Sequence, residues 1–186
     1  MSVSAESIAA AVRAAKGRGL PPVDRWDPPF CGDLDMRIAR DGTWFYLGTP
    51  IGRPQLVRLF STVLKREGDA YFLVTPVEKV GITVDDAPFL AVDFDVSGAG
   101  EAQNLTFHTS VGDRCAAGPD HPLRFDTRDG DPAPYVEIRS RLDALIDRKS
   151  FFRLVDLGVE HEVNGTVMFG LWSGGIFFPI APASAL

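Results

Sequence analysis

Along the chain the apolar positions switch between two periods, and each switch predicts a change of element. Ile8, Ala11, Val12 and Ala15 recur at helical spacing, which predicts a short Ala-rich helix over Ser4–Ala15 with Ser4 as its N-cap and Gly17 and Gly19 after it. Residues 20–30 hold four prolines and Trp26, so this stretch is expected to be extended and to lie across a core. Leu34, Met36 and Ile38 then alternate with Asp35 and Arg37, the period of a half-buried strand. Asp41-Gly42 is a two-residue hairpin signal, and Thr43–Leu47 is the returning strand. The stretch Gly48-Thr49-Pro50-Ile51-Gly52-Arg53-Pro54 leaves this hairpin. Leu56, Phe60, Val63 and Leu64 next mark a helix over Gln55–Arg66, opened by Pro54 and closed by Lys65, Arg66 and Gly68.

Period two returns in Tyr71–Thr75, Lys79–Val84 and Phe89–Val96, followed by a turn at Ser97–Gly100 and a strand at Asn104–Ser110. The loop Val111–Pro122, which contains Gly and Pro, is expected to carry a boundary. Beyond it, Leu123–Thr127 and Tyr135–Arg139 flank an Asp129-Gly130-Asp131 turn. A helix is expected from an N-cap at Ser140, with Asp143 in its first turn and Leu142, Leu145 and Ile146 as its stripe; it either runs to Leu157 or breaks at Ser150. Val159–Val163, an Asn164-Gly165 turn, Thr166–Trp172 and Ile176–Ile180 complete a meander. Hairpin, helix, meander thus occurs twice. The pattern predicts an α+β fold of two similar antiparallel halves, a duplication, with residues 1–32 as a lead-in, 33–110 as the first half and 111–186 as the second.

Composition narrows this little. With 186 residues, 45% of them hydrophobic and 24% charged, the chain reads as an ordinary globular protein. No apolar run approaches the roughly 20 residues of a membrane span. Met1–Lys16 lacks the basic start and apolar core of a signal peptide, so a cytoplasmic location is expected. Cys31 and Cys115 are then expected to be free thiols, and the acceptor patterns at Asn104 and Asn164 an ordinary strand and turn. A net charge of −6 argues against dedicated DNA or RNA binding. The charges are segregated, however: Met36–Arg66 carries six cations against Asp41 alone, and Gly81–Glu101 carries five acids and no cation. The two segments form either two walls of opposite sign or partners across a sheet.

Candidate chemistry is sparse. His108, His121 and His161 show no ligand spacing for zinc, and no cofactor motif is present, neither a phosphate-binding loop nor a Gly-x-Ser-x-Gly elbow. Ser173, within Trp172-Ser173-Gly174-Gly175, reads as a turn residue. Asp33-x-Asp35 and Asp93-x-Asp95 each place two carboxylates on one strand face, suited to a hard cation or to a solvated surface. At the focal stretch, Thr49, Gly52 and Arg53 sit at a helix start, where backbone N–H groups and an Arg fork suit phosphate or carboxylate. Its echo, Thr75-Pro76-Val77-Glu78-Lys79, would add a second cation if it lay nearby. The alternative is that Arg53 pairs with an acid such as Asp85. Arg139, placed directly before the expected Ser140 cap, is the corresponding position in the second half, where Arg141, Arg148, Lys149 and Arg153 read as ion pairing on a helix surface. Trp26 either packs on the core or stacks on a ligand.

These residues also resemble a known family. Trp26-Asp27-Pro28-Pro29-Phe30-Cys31-Gly32, Asp41-Gly42-Thr43-Trp44, Gly48-Thr49-Pro50-Ile51-Gly52-Arg53 and Leu59-Phe60-Ser61 are similar to the bacterial family known as domain of unknown function 1285. Thr75–Lys79, Asp86-Ala87-Pro88-Phe89 and Tyr135–Arg139 extend the match over nearly the whole chain. The resemblance implies an α+β duplication whose C-terminal half is superficially similar to pleckstrin-homology-like domains. It further implies a role in bacterial signalling with a nucleotide-like ligand between the halves, and it assigns no catalytic residue. The leading expectation is a non-catalytic protein that binds a small anion through Trp26, Thr49, Gly52, Arg53, Thr75, Glu78, Lys79 and Arg139. A metal-dependent phosphoester hydrolase or transferase using Glu78, Asp93 and Asp95, and a protein-interaction module presenting Phe169–Phe178, are the alternatives.

Overall fold

Two serines open the first element of the computed structural model, which describes residues 2–15 and 17–186. Ser7 N donates to Ser4 Oγ at 3.1 Å and Ser4 N to Ser7 Oγ at 3.0 Å, a reciprocal cap for helix α1 (Ala5–Ala15). Ile8, Ala9 and Val12 are its buried stripe. The expectation that Met1–Lys16 is not a signal peptide rests in part on Met1 and Lys16, which lie outside the described residues. No helix among the described residues is long and apolar enough to cross a membrane.

The chain divides into two compact units, Met1–Pro88 and Phe89–Leu186. In the first, strands β1 (Phe30–Ile38), β2 (Trp44–Tyr46) and β3 (Thr49–Pro50) form one antiparallel meander. Helix α2 (Pro54–Ser61) leads to a second, β4 (Leu64–Glu67), β5 (Ala70–Val74) and β6 (Lys79–Val84). The sheet order is β3-β2-β1-β6-β5-β4, with β1 and β6 parallel at its centre. Trp44 stacks on Phe60 with ring centroids 6.3 Å apart, and Ala5 N donates to the Tyr46 hydroxyl, which places both helices on the face of Met36, Ile38 and Leu73.

The expected helix over Gln55–Arg66 stops at Ser61 instead. Ser61 Oγ donates to Arg58 O at 2.7 Å and Thr62 Oγ1 to Leu59 O at 2.6 Å, taking up the last carbonyls, and β-branched Thr62 and Val63 hand the chain to a strand. Lys65 and Arg66 are therefore strand residues rather than a helix C-terminus.

The second unit repeats the sheet. Strands β7 (Phe89–Ser97), β8 (Asn104–Thr109) and β9 (Arg114–Ala116) form one meander, and β10 (Leu123–Arg128), β11 (Asp131–Arg139) and β12 (Leu142–Ile146) the other. The order is β10-β11-β12-β7-β8-β9, with β12 and β7 parallel. Read from its far edge, this is the order of the first sheet with every strand number raised by six. The fold is thus α+β with two similar halves, and its two large sheets are mixed rather than purely antiparallel. Helix α3 (Arg148–Val155) and a separate sheet of β13 (Val159–Val163), β14 (Thr166–Ser173) and β15 (Ile176–Pro182) follow.

Two further expectations change here. The Val111–Pro122 loop lies inside the second unit and contributes β9 rather than a boundary. Ser140 caps no helix: Ser140 and Arg141 have φ of 47° and 62° and form the two-residue turn between β11 and β12. Leu142–Ile146 is a short apolar run whose helical and strand readings cannot be separated by periodicity, and pairing on both sides makes it a strand. The helix starts after Asp147, whose Oδ1 accepts from Ser150 N at 2.8 Å, and passes through Ser150 to Val155.

Candidate functional site

The Gly48–Pro54 stretch carries the chain from the hairpin into α2. Leu47 and Gly48 turn the chain at φ of 50° and 75°, and Thr49 and Pro50 form the exposed edge strand β3. Arg53 is the N-cap of α2 without a side-chain cap bond. Three of the N–H groups around the helix start are used and one position has none. Ile51 N donates to Trp44 O at 2.8 Å, Leu56 N and Val57 N both donate to Arg53 O, and Pro54 has none. Gly52 lies in open space, where an added Cβ would meet nothing within 4 Å. Arg53 does not pair with Asp85, because Asp85 is the partner of Arg37, and Arg40 takes Asp86 at 3.0 Å. The basic and acidic segments therefore pair in part within the first unit.

The echo is a turn followed by an ion-pair chain. Thr75 is fully buried; its Oγ1 accepts from Val77 N and Glu78 N at 3.4 and 3.2 Å, and its N donates to Glu78 O at 2.9 Å. Lys79 Nζ lies 3.0 Å from Glu67 Oε2 and 5.0 Å from the Phe72 ring centroid. Glu67 Oε1 takes Lys65 at 3.3 Å, and Lys65 Nζ reaches Trp26 O at 3.5 Å. Hydrogen bonding from Lys79 holds the Glu67 carboxyl below its ordinary value. Trp26, Glu78 and Lys79 are thus gathered at one end of the first sheet, beside Phe30, which is 55% exposed.

Strand register keeps that end apart from Arg53. Lys79 pairs with Phe30 where β1 begins, whereas Ile51 bonds Trp44, which faces Ile38 where β1 ends. Along β6 the step from Lys79 to Val84, the partner of Ile38, is five residues, or about 17 Å at 3.3 Å each. Arg53 and Lys79 cannot share one small anion. Arg139, in the second unit, forms an ion pair with Asp113 at 2.7 Å and lies over the Phe89 ring at 4.9 Å.

The other candidates are similarly engaged. Asp93 pairs with Arg153, which holds its carboxyl below the ordinary range, and Asp95 receives His108 at 2.7 Å and Arg114 at 3.1 Å. The Asp33 carboxylate lies over Gly81, where an added Cβ would come within 2.2 Å of it. Ser173 is buried; its Oγ donates to Ala117 O at 2.7 Å and accepts from Leu105 N at 2.9 Å, tying β14 to β8. Among the described residues no group of three or more His, Cys, Asp or Glu side chains is placed to hold a metal ion.

Concave space occurs elsewhere in the first unit, in a groove of about 360 Å³ between α1 and α2. Val12 closes one side, Gly19 and Pro21 cross its end, and Gln55, Arg58, Leu59 and Thr62 line the other. The last four recur at i, i+3, i+4 and i+7, one face of α2. None of the ion pairs among the described residues uses the Arg58 guanidinium, whose five donors suit a carboxylate or phosphate. Sequence reasoning followed the opposite, apolar face of this helix. The available signal was Leu59, an apolar residue outside that stripe, next to an Arg.

Comparison with known proteins agrees with this architecture. Residues 21–87 match the family described as "Domain of unknown function (DUF1285), N-terminal domain", and residues 88–180 match "Protein of unknown function (DUF1285), C-terminal domain". The crystal structure of a DUF1285 family protein from Silicibacter pomeroyi DSS-3 is 59% identical, with a TM-score of 0.87 over 96% of each chain. A DUF1285 family protein from Shewanella baltica OS155 is 30% identical over 66% of this chain and 91% of that one, with a TM-score of 0.54. No curated protein matches the chain significantly. With both halves of the family pattern present in sequence and the same fold in a crystal structure at 59% identity, the chain belongs to the DUF1285 family.

Proposed function

We propose that this chain is a non-catalytic binding protein for a small anionic ligand, seated in the α1/α2 groove with Arg58 as its anchor. The observation that carries the reading is a cation without an acidic partner among the described residues, lining a groove with apolar walls. A guanidinium bonds a carboxylate or phosphate through two parallel N–H donors, and the exposed Arg58 presents them at the rim of the groove. A signalling role and a pleckstrin-homology-like second half, both implied by the family resemblance, belong to the same proposal, and the nucleotide-like ligand that the resemblance also implies is one of the anions to be tested. So does a cytoplasmic location, which the free thiols of Cys31 and Cys115 favour.

The test is calorimetric titration of the intact protein with acetate, octanoate, inorganic phosphate and AMP. At least one is expected to bind and to weaken by about tenfold to a hundredfold in Arg58→Ala, the worth of a charged hydrogen bond. Arg53→Ala and Lys79→Ala should leave it unchanged. Binding indifferent to Arg58 would overturn the assignment. A protein-interaction role is the second reading, favoured by Val159, Val167 and Ile176, which are exposed on the last sheet.

A further inference from the structure

Resting on the groove reading above, we propose that the ligand is an amphipathic monoanion: a single carboxylate carried on a short alkyl or aryl body. Charge count comes first. Among the described residues lining the groove, Arg58 is the only cation and there is no acid. One guanidinium fork matches one carboxylate, whereas a phosphomonoester carries close to two charges at neutral pH and three oxygens that need donors. The other polar groups do not make up the difference. The Thr62 hydroxyl already gives its proton to Leu59 O at 2.6 Å, so it offers an anion only lone pairs. At the start of α2, Pro54 lacks an N–H and Leu56 N and Val57 N are bonded to Arg53 O, which leaves one backbone donor there, the Gln55 N–H. The Gln55 side-chain amide also remains, enough to orient one further polar atom.

Shape and polarity agree. At about 360 Å³ the groove lies at the small end of ligand pockets, which run from roughly 300 to 1,000 Å³. Val12, Pro21 and Leu59 supply apolar walls. Gly19, at φ of 89°, has no side chain at the groove's end, and an added Cβ there would meet nothing within 4 Å, so that end is open. An apolar tail lying between α1 and α2 would continue the contact these helices already make, with its head at Arg58.

The experiment titrates the intact protein with octanoate, octanol, inorganic phosphate and AMP by calorimetry, using wild type, Arg58→Ala, Arg58→Lys and Leu59→Asn. Circular dichroism and the unliganded melting temperature report whether each variant folds. Octanoate is expected to bind wild type, at least tenfold more weakly to Arg58→Ala and to Leu59→Asn, with partial recovery in Arg58→Lys; octanol, phosphate and AMP should bind more weakly than octanoate. AMP or phosphate binding lost in Arg58→Ala, with octanoate inert, would overturn the amphipathic ligand while leaving the anion site standing. Octanoate bound equally by wild type and Arg58→Ala would overturn the proposal as non-specific uptake. Failure of all four probes to bind would overturn both readings together.

Discussion

Thr75 illustrates how a residue's surroundings decide its role. In sequence it belongs to a Thr-Pro motif shared with Thr49, but its hydroxyl is spent on the two N–H groups of its own turn, and it is fully buried. Thr49 has the same chemistry on an exposed edge strand. Residue type was legible in both cases; the direction of the hydroxyl was not, because it depends on backbone angles several residues away. The two cysteines differ in the same way. Cys31 is exposed, and Cys115 is buried with its thiol pushed up to about 11 by desolvation and by Asp113. A thiol reagent at pH 8 is expected to modify Cys31 in the native protein and Cys115 only after unfolding, as mass spectrometry would show. Because the folded state holds the Cys115 proton above the ordinary value of 9.0, the unfolded chain releases it first. Stability should therefore fall as pH rises from about 9 to 11. Cys115→Ala should flatten that slope in denaturant titrations.

At the scale of elements, long periodic stretches and turn dipeptides were readable. α1, the β1–β2 hairpin, β5, β6 and the final meander stand where periodicity placed them, within a few residues. The failures lie where local signals conflict. Ser140 followed by Asp143 looks like a cap, yet tertiary pairing on both edges of Leu142–Ile146 outweighs it. Two substitutions separate the readings. Asp147→Ala removes the acceptor for Ser150 N and should cost about 1 kcal/mol. Replacing Ser140-Arg141 with Asn-Gly should instead stabilise by about 1 kcal/mol, since both positions are left-handed and Asn-Gly suits such a turn. Under a helical cap the same replacement would put Gly in a helix and destabilise it. Urea denaturation of both variants decides the sign.

For the whole molecule, the duplication was legible as a class but not in its alignment. α2 lies between the two meanders of the first sheet, whereas residues 117–122 join those of the second and α3 follows both. A string of hairpin, helix and meander therefore aligns β1–β6 with β10–β15, while the sheets align β1–β6 with β7–β12. The groove was illegible for a related reason: it needs α1 and α2, distant in sequence, to lie side by side.

The parallel pair at the centre of each large sheet has a mechanical consequence. Its members are the first and last strands of that sheet, β1 with β6 and β7 with β12. Tension applied at the outer ends of β1 and β6 acts along the strands, so the rungs of this parallel ladder, although two register shifts interrupt it, are loaded in shear and share the load. The β4–β5 hairpin, drawn apart at Leu64 and Leu73, would peel one rung at a time. Single-molecule pulling from handles just outside Phe30 and Val84 should give a higher rupture force than pulling the hairpin open. Equal forces would show that the pair carries no special load. Sharing its strand order, the second sheet would act as another such clamp in series along the same chain.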